Sequence, residues 1–396
     1  MTGWTKEQIE HMKLALRLAR RGWGLVSPNP MVGAVVAKGK RVIATGWHTG
    51  PGQPHAETAA LAEAGRKAKG ADLYVNLEPC NHYGRTPPCT EAILRAGIDR
   101  VFYGAPDPNS LAAGGARALT EAGVAVHGGL LAAECFESNL FFFKWLLTKK
   151  PFVIMKTAAS LDGKTATSTG QSQWISSKAA RNFGHHIRAG VDAIVVGRNT
   201  VEKDDPELSA RPWGRRKMHR QPWRVVLDPS LKLSLKKKIY DAAVGGPTIV
   251  VCSKAAAEAK MKKISALGHQ VWVGPTTKAG LLSIRWVLEE LGRQGLQSVL
   301  MEPGATLAAS ALVDEPVVDL AHFFLAPKFI GGVKAPGVVG GLGLAELGQA
   351  LEAEVIKLGR KGPDIHITVR PAGGFGGQED CEFFYQAAGL SLAAAG

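Results

Sequence analysis

Three short runs decide the fold of the first part of the chain: His55-Ala56-Glu57, then Glu78-Pro79-Cys80, then Pro87-Pro88-Cys89. His55 to Ala68 has the composition of a helix, Leu73 to Leu77 that of a strand, and Thr90 to Ala96 that of a second helix. The three runs therefore sit at a helix start and at the following strand-to-helix turn. One imidazole and two thiolates suit a tetrahedral zinc whose fourth position stays open to water. Glu57 is the informative member. A closed structural site takes a fourth protein ligand, whereas a carboxylate two residues from a ligand can reach bound water and move its protons.

Outward from this centre, strands and helices keep alternating. Ile9, Met12, Leu16 and Ala19 recur at helical spacing, and a Pro-rich turn follows Gly22 and Gly24. Met31 to Val36 and Arg41 to Thr45, separated by Lys38-Gly39-Lys40, have the pattern of a hairpin. Beyond Cys89 come a strand at Val101 to Gly104, a helix at Ala112 to Ala122, a strand at Val124 to His127 and a short apolar helix at Leu140 to Leu147. This is the α/β manner. Thr148-Lys149-Lys150-Pro151 reads as a linker. After it, seven short apolar runs (Phe152 to Lys156, Ala193 to Val196, Arg224 to Leu227, Thr248 to Cys252, Gln270 to Val273, Ser298 to Met301, Leu320 to Leu325) predict a second α/β domain with a mostly parallel sheet. The expected division is residues 1–148, residues 151–370, and a Gly- and Ala-rich flexible tail over 371–396.

The composition narrows the class. With 396 residues, 45% of them hydrophobic and 21% charged, and no long apolar run, the chain reads as a globular protein without a transmembrane helix. The charged segment Thr5 to Arg21 lacks a secretory pattern, which gives the expectation of a cytoplasmic protein. Five cysteines are too few and too scattered for a disulfide framework, and Cys135, Cys252 and Cys381 have no ligand-like neighbours. A formal charge of +14 favours an anionic partner, whether nucleic acid, a membrane surface or a phosphorylated small molecule.

H-x-E followed by P-C is the signature of zinc deaminases, in which hydroxide attacks an amidine-like ring carbon and the Glu serves as general acid and base. The run Ser27-Pro28-Asn29-Pro30-Met31-Val32-Gly33, with His55-Ala56-Glu57 and with Glu78 through Cys89, resembles the deaminase half of the bifunctional riboflavin biosynthesis deaminase/reductases. The eight residues between Cys80 and Cys89 separate it from cytidine deaminases, which have two. The resemblance implies a cytidine-deaminase-like three-layer α/β/α domain holding zinc on His55, Cys80 and Cys89, with Glu57 catalytic. It further implies that His82 and Arg85 contact a phosphoribosylated aminopyrimidine and that Asn29 meets its ring.

The second half carries its own series. Lys156 through Lys164, Gly170-Gln171-Ser172-Gln173-Trp174, Arg188, Thr200, Asp204-Asp205-Pro206-Glu207-Leu208 and Arg211 are similar in order to the reductase half of the same family. That implies a dihydrofolate-reductase-like α/β domain using NADPH; no G-x-G-x-x-G follows any predicted strand, so nothing in the sequence points to a Rossmann fold. Carried over by position, the resemblance puts NADPH near Ala158, Trp174, Thr200, Asp204, Gly304, Ala305 and Thr306. The ribosyl phosphate falls near Lys156, Ser172, Arg188, Leu208, Arg211 and Glu302, with a guanidinium pair clamping the phosphate. Pro303 stands where the family has glycine and removes one backbone donor. Residues Arg211 to Arg224 are basic and hold two tryptophans, and a mobile loop is the simpler account than a nucleic-acid patch.

The expected activity is deamination of 2,5-diamino-6-ribosylamino-4(3H)-pyrimidinone 5′-phosphate followed by NADPH-dependent reduction of the ribosyl to a ribityl group. No nucleic acid or membrane partner is expected, and the resemblance implies a homo-oligomer, dimer or tetramer. Two alternatives stand beside it: a deaminase with a non-catalytic reductase-like domain, motivated by Pro303, and a nucleic-acid deaminase, motivated by the charge.

Overall fold

The computed structural model describes residues 3–84, 86–109, 111–211, 220–241, 243 and 245–387. The chain forms two compact units: the first runs to Thr148 and takes up the chain again from Gly376, and the second is Lys149–Phe375.

The first unit opens with α1 (Lys6–Ala19), started by a capping box between Thr5 and Gln8. A five-stranded sheet follows in the order β2-β1-β3-β4-β5, built from β1 (Gly33–Lys38), β2 (Arg41–Trp47), β3 (Asp72–Leu77), β4 (Arg100–Ala105) and β5 (Ala125–His127). β1 pairs antiparallel with β2 and β3, while β3, β4 and β5 are parallel. β3 is buried along its whole length, as befits a central strand with helices on both faces. The helices are α1, α2 (Ala56–Ala64), α3 (Cys89–Ala96), α4 (Gly115–Glu121), α5 (Ala132–Glu137) and α6 (Leu140–Thr148).

Two glycines bring the backbone of the metal-ligating segments into place. A Cβ on Gly46 of β2 would stand 2.2 Å from the Ala56 carbonyl oxygen, and one on Gly115 of α4 only 1.8 Å from that of Pro79. Any side chain there would push α2 off the sheet or α4 off the Pro79-Cys80 turn.

The second unit is a nine-stranded sheet in the order β10-β9-β8-β7-β11-β6-β12-β14-β13. Its strands are β6 (Phe152–Ser160), β7 (Ala193–Gly197), β8 (Trp223–Leu227), β9 (Thr248–Cys252), β10 (Gln270–Val273), β11 (Ser298–Met301), β12 (Leu320–Ala326), β13 (Ala353–Lys361) and β14 (Asp364–Pro371). Neighbours from β10 through β12 are parallel, and β14 and β13 close the edge antiparallel. The apolar runs Ala-Ile-Val-Val, Thr-Ile-Val-Val-Cys and Ser-Val-Leu-Met are buried throughout, the mark of central parallel strands between helical layers. Those layers comprise α7 (Lys178–Gly190), α8 (Arg198–Asp204), α9 (Glu258–Ala266), α10 (Ile284–Arg293) and the short α11 (Ala305–Ala309).

One expectation is corrected here. The segment after 370 does not simply fray: Asp364–Pro371 is the end of the sheet, and Gln378–Ala387 forms α12, which packs in the first unit. Phe384 and Tyr385 are both buried. Their apolar area, against Phe136 and Phe143, outweighs the glycine content of the preceding residues.

Candidate active sites

His55 is the residue that caps α2, and Cys89 opens α3. His55 Nδ1 lies 3.2 Å from Cys89 Sγ and 3.4 Å from Cys80 Sγ. Tetrahedral zinc bonds of ordinary length would hold such atoms about 3.5 Å apart, so the donor set fits that ion as it stands. Their ligand atoms all fall within 4.8 Å of one another, and no other such group occurs among the described residues. The Cys80 thiol is held well below its usual range by hydrogen bonds from Cys89 and from His55, while its partner Cys89 is raised by that same hydrogen bond and by burial, so of the two it is Cys80 that favours thiolate. The Cys89 backbone N–H, at the start of α3, also donates to Cys80 Sγ at 3.4 Å.

Glu57, on the first turn of α2, is buried, and its carboxyl is pushed up to about 7 by that burial and by the nearby Cys80 charge. A carboxyl poised near neutrality both takes and gives protons. Asn29 donates through Nδ2 to His48 Nε2 at 2.9 Å, and His48 Nδ1 donates to the Pro54 carbonyl at 3.2 Å. This arrangement needs a neutral ring, and burial indeed lowers the His48 pKa.

His55, Glu57, Cys80, Asn29 and His82 line one cavity of about 430 Å³, with Cys89 buried behind it. His82 Nδ1 is buried with no hydrogen-bond partner among the described residues. Arg85 lies outside the described residues, as does most of the basic segment 211–224. His48, from the loop after β2, and Asp107 and Asn109, together on the loop after β4, share the cavity and are not among the site residues expected from the sequence, because no local motif ties these two loops to the metal-ligand runs. Asp107 is pushed up to about 7 by burial and by the Glu78 and Cys80 charges. Glu78 in turn accepts from the Asp107 and Ala116 amides, tying this turn to α4.

In the second unit, every residue singled out from the sequence lines one cavity of about 890 Å³. Arg188 of α7 lays its guanidinium on Glu302 through two hydrogen bonds, Nε to Oε1 at 2.8 Å, and its Nη1 donates to the Ser209 carbonyl at 3.2 Å. Burial works against a charged Glu302, yet Arg188 and Lys156 hold its carboxyl down at about 2. Lys156 of β6 is itself lowered by burial, against the pull of Glu302.

The expected clamp of two guanidiniums is therefore arranged differently. Arg188 is committed to Glu302 and to a backbone carbonyl, while the more exposed Arg211 carries a single ion pair to Glu207. Ser172 donates to Asp204 at 2.8 Å. Trp174 is 65% exposed, not a core residue, and the Arg181 guanidinium sits 4.4 Å from its ring centroid. Gly304 caps the five-residue α11, with Ala305 and Thr306 in its first turn and the Thr200 hydroxyl nearby. His185, one turn before Arg188, also lines this cavity, and burial and the neighbouring Arg188 lower its pKa to about 4.

Comparison with known proteins follows this division. Residues 151–367 match the family described as RibD C-terminal domain, and residues 5–105 match the cytidine and deoxycytidylate deaminase zinc-binding region. The riboflavin biosynthesis protein RibD of Bacillus amyloliquefaciens is 41% identical over 370 residues, which are 93% of this chain and 98% of that protein. The protein of the same name from Escherichia coli is 37% identical, covering 90% of this chain and 97% of its own. Among solved structures, RibD of Acinetobacter baumannii superposes with a TM-score of 0.83 at 35% identity, over 93% of this chain and 99% of that one. A diaminohydroxyphosphoribosylaminopyrimidine deaminase/5-amino-6-(5-phosphoribosylamino)uracil reductase from Thermotoga maritima gives 0.79 at 32%, over 92% and 99%.

Proposed function

This chain belongs to the RibD family of bifunctional riboflavin biosynthesis enzymes, a deaminase domain followed by a reductase domain, and from that premise we propose which residues carry each reaction and on what substrates. The observation that carries the reading is the cluster of His55, Cys80 and Cys89 with the buried carboxyl of Glu57 in one cavity.

In the first domain His55, Cys80 and Cys89 would hold zinc, which supplies an activated water at neutral pH. Glu57 is placed to hold a proton and pass it to the departing amino group: as a water oxygen replaces the exocyclic nitrogen on the ring carbon, one water proton leaves with ammonia and the other ends on the ring nitrogen beside the new carbonyl. Asn29 reads the edge of the pyrimidine ring of 2,5-diamino-6-ribosylamino-4(3H)-pyrimidinone 5′-phosphate. His48, kept neutral, holds the Asn29 amide in one orientation. His82 and Arg85 meet the ribosyl phosphate.

The product, 5-amino-6-(5-phosphoribosylamino)uracil, is the substrate of the second domain. Ala158, Trp174, Thr200, Asp204 and the segment Gly304-Ala305-Thr306 would hold NADPH, which would supply hydride. Lys156 is placed to give a proton to the sugar ring oxygen as the C1′–O bond breaks, leaving an iminium at C1′ that a hydride would reduce to the ribityl chain. Glu302, held charged by Arg188, keeps Lys156 close to its protonated form despite burial. Arg211 is the guanidinium left to meet the phosphate, with Ser172 and Leu208 shaping the same cavity. Pro303 precedes the cap residue of α11, and the first turn behind it is regular.

Ligands of this size fit cavities of about 430 and 890 Å³, and the reading assigns no role to nucleic acid. No helix among the described residues is long and apolar enough to cross a membrane. The five cysteines are unpaired, in keeping with a cytoplasmic enzyme, and we read it as a homo-oligomer. Metal removal separates the two halves: chelation is expected to abolish ammonia release while leaving reduction of the aminouracil substrate within about twofold, and zinc to restore the first. Equal loss of both activities on chelation would overturn the assignment of roles.

A further inference from the structure

The match to the RibD C-terminal domain ends at residue 367, before α12, and that helix is packed in the deaminase unit rather than in the unit it follows. Its two buried aromatic residues pack on the α5–α6 corner, whose Phe142 lines the first cavity. The Phe384 ring centroid lies 5.2 Å from that of Phe136 and 4.7 Å from that of Phe143. These two phenylalanines bracket Asn139: the Asn139 N–H donates to the Phe136 carbonyl, and the Phe143 N–H donates to the Asn139 carbonyl. Tyr385 Oη donates to the Ala132 carbonyl at 2.8 Å and approaches that of Gly104 at 3.3 Å, pinning the start of α5 to β4.

Asn139 is the link to the site. Its side chain accepts from the Met31 N–H at 2.8 Å and donates to the Met31 carbonyl at 3.0 Å. Asn76, fully buried on β3, donates to the same carbonyl at 3.0 Å and accepts from the Gly33 N–H at 2.9 Å. Two buried amides thus fix Met31 and Gly33, the residues that lead from Asn29 into β1. A buried amide side chain with both ends paired has one geometry, and loosening its backbone lets the pairs fail together. Phe142, beside Phe143, lines the same cavity directly.

We infer that α12 is a buttress for the deaminase pocket: Phe384 and Tyr385 act as positioning residues that hold the α5–α6 corner, and through Asn139 the Asn29 segment, in the geometry that receives the pyrimidine. The deaminase site is completed by residues that follow the whole reductase domain in the chain, so deaminase competence waits on the last helix. The inference rests on reading the first cavity as the deaminase site.

The test uses the full-length, zinc-loaded protein as wild type, Phe384→Ala, Phe384→Leu and Tyr385→Phe. Hydrogen exchange at the Met31 and Gly33 amides is measured without substrate, alongside ammonia release, NADPH consumption and zinc content. In Phe384→Ala the two amides are expected to exchange about tenfold faster, and the deaminase KM to rise about tenfold with kcat within about threefold. Zinc content and reductase kinetics are expected to stay at wild-type values. Phe384→Leu restores most of the protection, and Tyr385→Phe, which removes only a hydroxyl, shows the same pattern at smaller size. Unchanged protection at both amides in Phe384→Ala and Tyr385→Phe overturns the buttress. Exchange needs no substrate, so lost protection in a protein whose wild type fails to deaminate this substrate would support the buttress and indict only the substrate assignment.

Discussion

Glu57 and Glu302 are two buried carboxyls that the chain treats in opposite ways. Burial and the Cys80 charge lift Glu57 to about 7, whereas Arg188 and Lys156 keep Glu302 charged against its burial. The first is suited to moving protons and the second to steadying a cation. Glu57→Gln is expected to keep its zinc and lose about 10³-fold in deamination; a wild-type rate in that variant contradicts the proton-shuttle role. Removing the other carboxyl's partner has a structural cost. Arg188→Met leaves the largely buried Glu302 with Lys156 as its remaining cation, for about 2 kcal/mol of lost stability in chemical denaturation, and adding Glu302→Gln recovers most of it. A single variant as stable as wild type would contradict the pairing. The ligands, Glu57 and the order of the reductase residues were legible in the sequence, because each sits in a short local motif. The partners of Arg188 were not, since Glu302 is 114 positions away and two arginines near a phosphate site look alike until their hydrogen bonds are seen.

At the scale of elements, β12 and β14 place His322 and His366 side by side in the interior, 3.1 Å apart between Nδ1 and Nε2, with Thr368 beside them. Burial lowers His322 to about 3 and His366 to about 4, the two rings and Lys361 adding to it. Both rings therefore stay neutral in the fold while the unfolded chain takes up protons below about 6.5. The unfolded state binds more protons through that window, so stability falls as pH drops from about 6.5, less steeply below about 4 where His366 is protonated in the fold, and levels off below about 3. Replacing both rings by Gln is expected to flatten this acid limb in thermal denaturation, and an unchanged limb would place its origin elsewhere. The central strands were readable because the apolar runs of β6, β7, β8, β9 and β11 are buried along nearly their whole length. β13 went unread because its side chains are mostly exposed, and α12 because seven residues rich in glycine precede it and its buried face shows only in Phe384 and Tyr385.

At the scale of the molecule, one chain carries a deaminase and a reductase domain, and the covalent path runs from the deaminase unit through the reductase unit and back into the first. The sequence predicted the two domains in their order, since each carries its own motif series, but not this return, which depends on long-range packing of a ten-residue helix. The central claim is that both cavities work, in that order. The measurement supplies zinc-loaded protein with the diaminopyrimidine ribosyl phosphate and NADPH, and follows ammonia release and NADPH absorbance together. Ammonia appearing first, with NADPH consumption lagging and reaching the same amount, is the predicted result; NADPH consumed without ammonia, or ammonia released while NADPH stays constant, would contradict it.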